Sequence, residues 1–213
     1  MNFEKKAFIR TILDKKILRW GEFTLKSGRV SPYFFNAGLF YQGDILHLVG
    51  AFYANILIQN KPEARHLFGP AYKGLPLGTA TAIACAEQGI NMDITFNRKE
   101  IKTHGEGGAL IGAPLKNKKV VMIDDVITAG TAFRESQALI AAEGGVLDTV
   151  VIALDREERG TTQNKLSAIQ EIKSEGIDVF SIITLSDLMD YLESNTEKKQ
   201  LERMRNYQEL YGA

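Results

Sequence analysis

Cysteine is nearly missing from this chain: Cys85 is the single one among 213 residues. One thiol cannot close an intramolecular disulfide, so no disulfide framework holds the fold, and a reducing compartment suits it. Cys85 stands among alanines in a helical stretch, which predicts buried packing rather than a nucleophile. Neither sign of charge is in excess, with 26 basic and 26 acidic side chains, so no overall field draws the protein onto nucleic acid or a membrane. No apolar run approaches the roughly 18 residues that cross a bilayer. The opening Met-Asn-Phe-Glu-Lys-Lys lacks the apolar core and small-residue cleavage site of a secretion signal. Histidine occurs three times, and no His/Cys/Asp group has transition-metal spacing. Repeats, low-complexity tracts and interdomain linkers are also missing. These absences predict a cytoplasmic protein forming a single domain over residues 1–213, with no nucleic-acid or membrane partner.

What is present is ordinary globular material, 45% hydrophobic and 24% charged, long enough for one well-filled core. Residues 3–19 carry Phe3, Ala7, Phe8, Ile12 and Leu13 at helical spacing. Phe23–Lys26 and Pro32–Asn36 flank a Ser-Gly-Arg turn and predict a hairpin, so that a small N-terminal hood occupies mainly residues 1–40. Phe34 and Phe35 are neighbours, so in an extended chain one ring can enter the core while the other lies against something flat. Asp44 is placed to cap a helix ending near Asn60, and Gly89 to follow a second one over 75–87. Five apolar segments (67–68, 92–96, 119–123, 150–154 and 179–183) alternate with helices. Alternation of that kind predicts an α/β fold with a central five-stranded parallel sheet flanked by helices. Between the second and third of these strands, residues 98–114 show no periodic apolar face and hold four glycines, which predicts a long mobile loop.

Ligands of parallel sheets bind at the carboxyl ends of the strands. The chemically distinctive residues gather at those ends: Tyr72-Lys73, Arg98-Lys99, Asp124-Asp125 and Asp155-Arg156 each follow a predicted strand. The most informative stretch is Lys119 to Ala132. Val120-Val121-Met122-Ile123 is a strand buried on both faces, ended by two carboxylates. Thr128-Ala129-Gly130-Thr131 then forms a small-residue turn before a helix. Unpaired N–H groups at such a turn, backed by the helix dipole, form an anion site. Adjacent carboxylates can cap the helix, or they can hold sugar hydroxyls or a hard metal ion. A phosphate cradle beside a diol cradle suits a phosphorylated sugar.

This stretch resembles the phosphoribosyl-diphosphate (PRPP) signature of the type I phosphoribosyltransferases. The resemblance places Asp124 and Asp125 by the ribose hydroxyls, as catalytic residues. It places the turn Thr128–Thr131 on the 5′-phosphate, within a PRPP-binding run of Val126, Ile127, Thr128, Ala129, Gly130, Thr131 and Ala132. The run Arg98-Lys99-Glu100-Ile101-Lys102-Thr103-His104-Gly105-Glu106-Gly107-Gly108 resembles the catalytic loop of the orotate phosphoribosyltransferases within that family. By that resemblance Arg98, Lys99, Lys102 and His104 contact diphosphate, with Lys102 the catalytic lysine, and the loop serves the neighbouring subunit of a homodimer. Phe68 to Gly74 resembles the family's diphosphate loop, which makes Tyr72 and Lys73 PRPP ligands. Lys26, which by the same resemblance also contacts PRPP, Phe34, Phe35, Thr128 and Arg156 resemble its orotate contacts. A guanidinium suits the carboxylate of orotate. The family uses Mg²⁺, expected here mainly on substrate oxygens and water, with Asp124 and Asp125 as the protein's possible contacts. The implied reaction converts orotate and PRPP to orotidine 5′-monophosphate and diphosphate, a step of pyrimidine (UMP) synthesis.

Two rivals differ in what they need. A purine-using relative needs another base pocket, against which Lys26, Phe34-Phe35 and Arg156 argue. A nucleic-acid-binding regulator on the same fold needs a basic surface or an added DNA-reading segment, and the neutral charge offers neither. His47 and His66 receive no function.

Overall fold

Side chains that alternate along β6 (Lys119–Asp124) divide the interior into two layers. Val120 and Met122 are buried with Phe133, Ile140 and Ile169 on one face. Val121 and Ile123 are buried with Tyr53, Leu57 and Leu77 on the other. This is why the run is apolar at every position rather than at every second one. The computed structural model describes residues 3–25, 27–102, 108–160 and 166–213, with the backbone alone for Phe3 and residues 99–102.

In chain order, α1 (Phe3–Asp14) leads to an antiparallel hairpin of β1 (Leu18–Thr24) and β2 (Val30–Phe35). Then come α2 (Gly43–Asn60), β3 (His66–Gly69), α3 (Gly74–Glu87), β4 (Asp93–Lys102) and β5 (Gly108–Gly112). After β6 follow α4 (Thr131–Ala142), β7 (Val146–Asp155), α5 (Ala168–Ser174), β8 (Asp178–Thr184), α6 (Leu185–Ser194) and α7 (Lys198–Tyr211). The main sheet runs β5-β4-β3-β6-β7-β8. Its five inner and right-hand strands are parallel, as the alternation predicts, and β5 adds an antiparallel edge on β4.

Three local expectations need correction. Within the stretch 98–114, the described residues are partly strand rather than irregular loop: β4 continues to Lys102 and Gly108–Gly112 form β5, with Lys102 paired to Gly108. Beyond Phe96 this two-stranded ribbon has no apolar alternation for a period-two reading to detect. Asp44 is not the cap of α2; Gln42 holds that position, and Asp44 lies in the first turn with Lys15 Nζ 3.2 Å from its carboxylate. The first helix stops at Asp14, because Leu18 already belongs to β1 and is buried. Ser167 and Gln170 form a capping box at the start of α5, with reciprocal bonds of 3.1 and 2.9 Å. Cys85 is fully buried, and burial pushes its thiol up to about 11.

The sheet changes direction of growth between β3 and β6. The chain leaves β3 toward β4 on one side and leaves β6 toward β7 on the other, so the loops after β3 and β6 open a crevice at their carboxyl ends.

Candidate active site

Two glycines shape the first wall of this crevice. A Cβ on Gly69 would lie 2.3 Å from the Gly74 carbonyl oxygen, and one on Gly74 would lie 2.3 Å from Pro70 Cδ and 2.8 Å from the Ile123 oxygen. Only bare backbone lets the 70–73 loop fold down over the end of β6. Asn97 Oδ1 accepts the Ala71 N–H at 2.6 Å and ties this loop to β4. The Ala71–Tyr72 peptide is cis. Tyr72 projects outward, 72% exposed.

Opposite stands the carboxylate pair. Asp124 and Asp125 are both buried at the end of β6, and Lys73 crosses the crevice to place Nζ 2.6 Å from Asp125 Oδ2. Asp124 Oδ1 accepts the N–H of Asp125 at 2.9 Å, and its own carbonyl accepts the Tyr53 hydroxyl at 2.7 Å. Burial, followed by the neighbouring Asp125 charge, raises the Asp124 carboxyl to about 7. Burial and both aspartate charges likewise push Tyr53 upward. Tyr53 therefore stays a neutral donor beneath the pair.

After Asp125 the chain runs through Val126 and Ile127 into the turn at Thr128–Gly130, with Thr128, Ala129, Thr131 and Ala132 exposed. Gly130 precedes α4 at φ 74, a left-handed conformation that glycine adopts at little cost. No side chain caps α4, so its first N–H groups face the crevice mouth without an internal partner from a cap. The arrangement can take a dianionic phosphate at the turn, hydroxyl groups at the aspartates and further negative charge at Lys73.

A second cluster lies after β7. Arg156 donates from Nε to the Tyr33 hydroxyl at 3.1 Å, pairs through Nη2 with Glu158 at 2.6 Å, and has Tyr207 Oη 3.5 Å away. Its guanidinium sits over the Tyr33 ring, 5.2 Å from the centroid. Arg29 approaches the other Glu158 oxygen at 3.5 Å. Tyr33 is fully buried, which raises its pKa, and burial followed by the Glu158 charge pushes Tyr207 up to about 12. The hood thus reaches the sheet through β2. Along β2, Tyr33 and Phe35 share one face by alternation, and Phe34 takes the opposite one, where it stacks on Phe23 at 5.4 Å. Phe35 meets Phe40 edge-on at 6.0 Å and packs against the core.

Of the residues picked from sequence, Lys73, Asp124, Asp125 and the 126–132 turn stand together, with Tyr72 at their rim. Arg156, Phe34 and Phe35 belong to the neighbouring hood-and-sheet cluster. Arg98 is half-buried on β4. Lys26 and His104 lie outside the described residues, as do the side chains of Lys99 and Lys102, whose backbones extend β4. Sequence reasoning missed Tyr33, Tyr53, Glu158 and Tyr207. Tyr33 was within reach, two positions from Phe35 on one strand face, and so was Glu158, two positions after Arg156; Tyr53 and Tyr207 act across 71 and 51 residues of chain and leave no local pattern. Among the described residues no group of three or more His, Cys, Asp or Glu is gathered as a metal cage.

No protein-family model matches the chain. Curated relatives do. It is 58% identical over 213 residues, spanning both chains in full, to the orotate phosphoribosyltransferase of Legionella pneumophila (strain Paris). It is 53% identical, again over the full length of both, to that of Photorhabdus laumondii. Among solved structures, the orotate phosphoribosyltransferase of Francisella tularensis superposes with a TM-score of 0.88 at 38% identity, covering 97% of this chain and 100% of that one. A Mycobacterium tuberculosis orotate phosphoribosyltransferase solved in complex with PRPP shares the fold, with a TM-score of 0.66 at 19% identity over 87% of this chain and 98% of that one.

Proposed function

The chain belongs to the orotate phosphoribosyltransferase family and transfers ribose 5-phosphate from PRPP to orotate; from that premise we propose how its residues divide the work. The observation that carries the reading is the Lys73–Asp125 contact across the β3/β6 crevice, beside the uncapped start of α4. The turn at 126–132 seats the 5′-phosphate on backbone N–H groups. Asp124 and Asp125 accept hydrogen bonds from the ribose hydroxyls. Lys73, Tyr72 and Arg98 face the diphosphate, joined by Lys26, Lys99, Lys102 and His104.

Arg156 takes the carboxylate of orotate, with Thr128 at the sugar side of the base and Lys26 at its edge. Of the two phenylalanines, Phe35 lies on the Tyr33 face and therefore on the side of Arg156, which supports Phe35 as the flat contact with the base and leaves Phe34 to Phe23.

In the reaction a ring nitrogen of orotate forms a bond to C1 of the ribose as the C1–O bond to diphosphate breaks and its electrons leave with the diphosphate. The nitrogen's proton passes to solvent water before attack, so the ring nitrogen reacts as an anion and no buried strong base is required. Protein groups supply orientation and charge: they align base, sugar and leaving group, and they stabilise the negative charge growing on diphosphate. Two carboxylates without a third ligand fit a Mg²⁺ ion carried mostly by substrate oxygens, and that ion supplies further neutralisation of the diphosphate.

A second surface supports a homodimer. α2 and α3 line an exposed apolar groove of about 440 Å³ with Leu46, Leu75, Pro76, Ile83 and Phe96, and Ile83 is 56% exposed. In our reading a second copy covers this groove, and residues 98–114 serve the partner's crevice. The lone buried thiol suits the reducing cytoplasm.

The direct test follows orotate absorbance with PRPP and Mg²⁺. Wild-type protein consumes orotate, and Lys102→Ala lowers kcat by about 10²-fold or more while changing orotate binding little. Near-normal turnover in Lys102→Ala removes that lysine from the chemistry.

A further inference from the structure

Arg156 is held by more than its role as an orotate ligand requires. Its Nε is bonded to the Tyr33 hydroxyl, its Nη2 is paired with Glu158, and Nη1 has no hydrogen-bond partner among the described residues. Glu158 is itself fixed from behind. Arg29 Nη1 lies 3.5 Å from its second oxygen while donating to the Arg159 carbonyl, and Arg29 Nη2 donates to Gly160. The chain end closes the arrangement: Arg159 N–H donates to the Tyr211 carbonyl and Ala213 N–H to the Glu157 carbonyl, with Arg29 stacked 4.9 Å from the Tyr211 ring. Arg29, Arg156 and Glu158 keep between 13 and 16% of their side-chain surface exposed.

We propose that Glu158 is a positioning residue for base recognition: it clamps Arg156 from the Nη2 side, with Tyr33 on Nε and Tyr207 behind, so that Nη1 is presented to the carboxylate of the incoming base. The proposal rests on the reading of Arg156 as the ligand of that carboxylate. Two guanidiniums share one carboxylate here, so the cluster retains a single positive charge, matched to a base carrying a single carboxylate. Repulsion between Glu158 and the substrate is blunted because Arg29 already balances the second Glu158 oxygen. Removing the Glu158 charge would instead leave two half-buried guanidiniums facing each other and free the four-bond arm of Arg156 to move. Loss of geometry outweighs relief of repulsion, since a buried, paired charge is costly to leave unpaired.

Steady-state kinetics on the full-length enzyme separate this from a general structural role. Glu158→Gln raises orotate KM about tenfold, leaves PRPP KM within about twofold, and lowers kcat by no more than about threefold. Tyr207→Phe, which removes only a hydroxyl at the edge of the clamp, raises orotate KM about threefold and carries the test if Gln at 158 does not fold. An orotate KM that stays put or falls in these variants overturns the proposal, as does a PRPP KM that rises in step. Arg156→Lys is the control for the underlying reading: if it leaves orotate KM unchanged, Arg156 does not bind the base at all. If Arg156→Lys raises orotate KM and the other two variants do not, only the clamp is refuted.

Discussion

Asp124 and Asp125 were readable because chemistry and position coincide: two carboxylates end an apolar strand and precede a turn of small residues. What they touch was not readable. Lys73 reaches Asp125 from another loop, and Tyr53 supports Asp124 from α2, contacts made by topology alone. Asp125→Asn is expected to release Lys73 and to lower kcat/KM for PRPP by about 10²-fold, with orotate KM little changed; initial rates at varied PRPP check it. His66 shows the converse, a polar residue with no part in the site. It is buried, its Nε2 lies 2.9 Å from Thr95 Oγ1, and that hydroxyl already donates to the Ala113 carbonyl. Nε2 therefore carries the proton, and Nδ1 has no hydrogen-bond partner among the described residues. Burial, outweighing Asp93 and aided by Lys118, lowers the His66 pKa from 6.5. The folded state then binds fewer protons than the unfolded state just below pH 6.5, so stability present above that pH is lost as pH falls. Thermal melting should drop between pH 7.5 and 5.5, and His66→Gln should lose part of that drop. Equal slopes in the two proteins would show that His66 does not contribute.

The parallel strands and their helices were visible in the chain because burial on both faces leaves an unbroken apolar signature, as in Val150–Leu154, every residue of which is fully buried. The β4–β5 ribbon escaped because its outer part carries polar and small residues on both sides, where neither period can register. The fold of the 70–73 loop also left only an indirect mark, its two flanking glycines. Their necessity is steric, and Gly74 makes the sharper case, since an added methyl would meet Pro70 and the Ile123 carbonyl at once. Gly74→Ala is expected to cost about 1–3 kcal/mol of stability, the range for overpacking a tight contact. It should also raise PRPP KM more than orotate KM, because the displaced loop carries Tyr72 and Lys73. Denaturant unfolding and kinetics together check it; a variant with normal stability and a normal PRPP KM would mean the loop adapts without moving Lys73.

Neither composition nor periodicity carries a sign of a site completed by a second copy. The fold supplies the reason to expect one. The β4–β5 ribbon forms the sheet edge on the β3 side, and α2 and α3 leave Ile83 exposed in a groove that Phe96 also lines. Burying that groove against a copy of itself satisfies its apolar surface by a two-fold contact. Ile83→Asp should therefore shift the protein toward monomer in sedimentation velocity and lower activity along with it. A stricter test uses two inactive variants. Lys102→Ala spoils the ribbon and keeps the crevice, while Asp125→Asn does the reverse. If each ribbon serves its partner, a mixed dimer holds one site with both defects and one with neither. After random exchange of equal amounts, half the dimers are mixed and each has one working site, so activity should recover to about a quarter of wild type under two-fold symmetry. If each ribbon served its own crevice, every site in the mixture would carry one defect and activity would stay near that of the separate variants. Recovery therefore distinguishes a shared site from a merely adjacent one, which dissociation by Ile83→Asp alone does not.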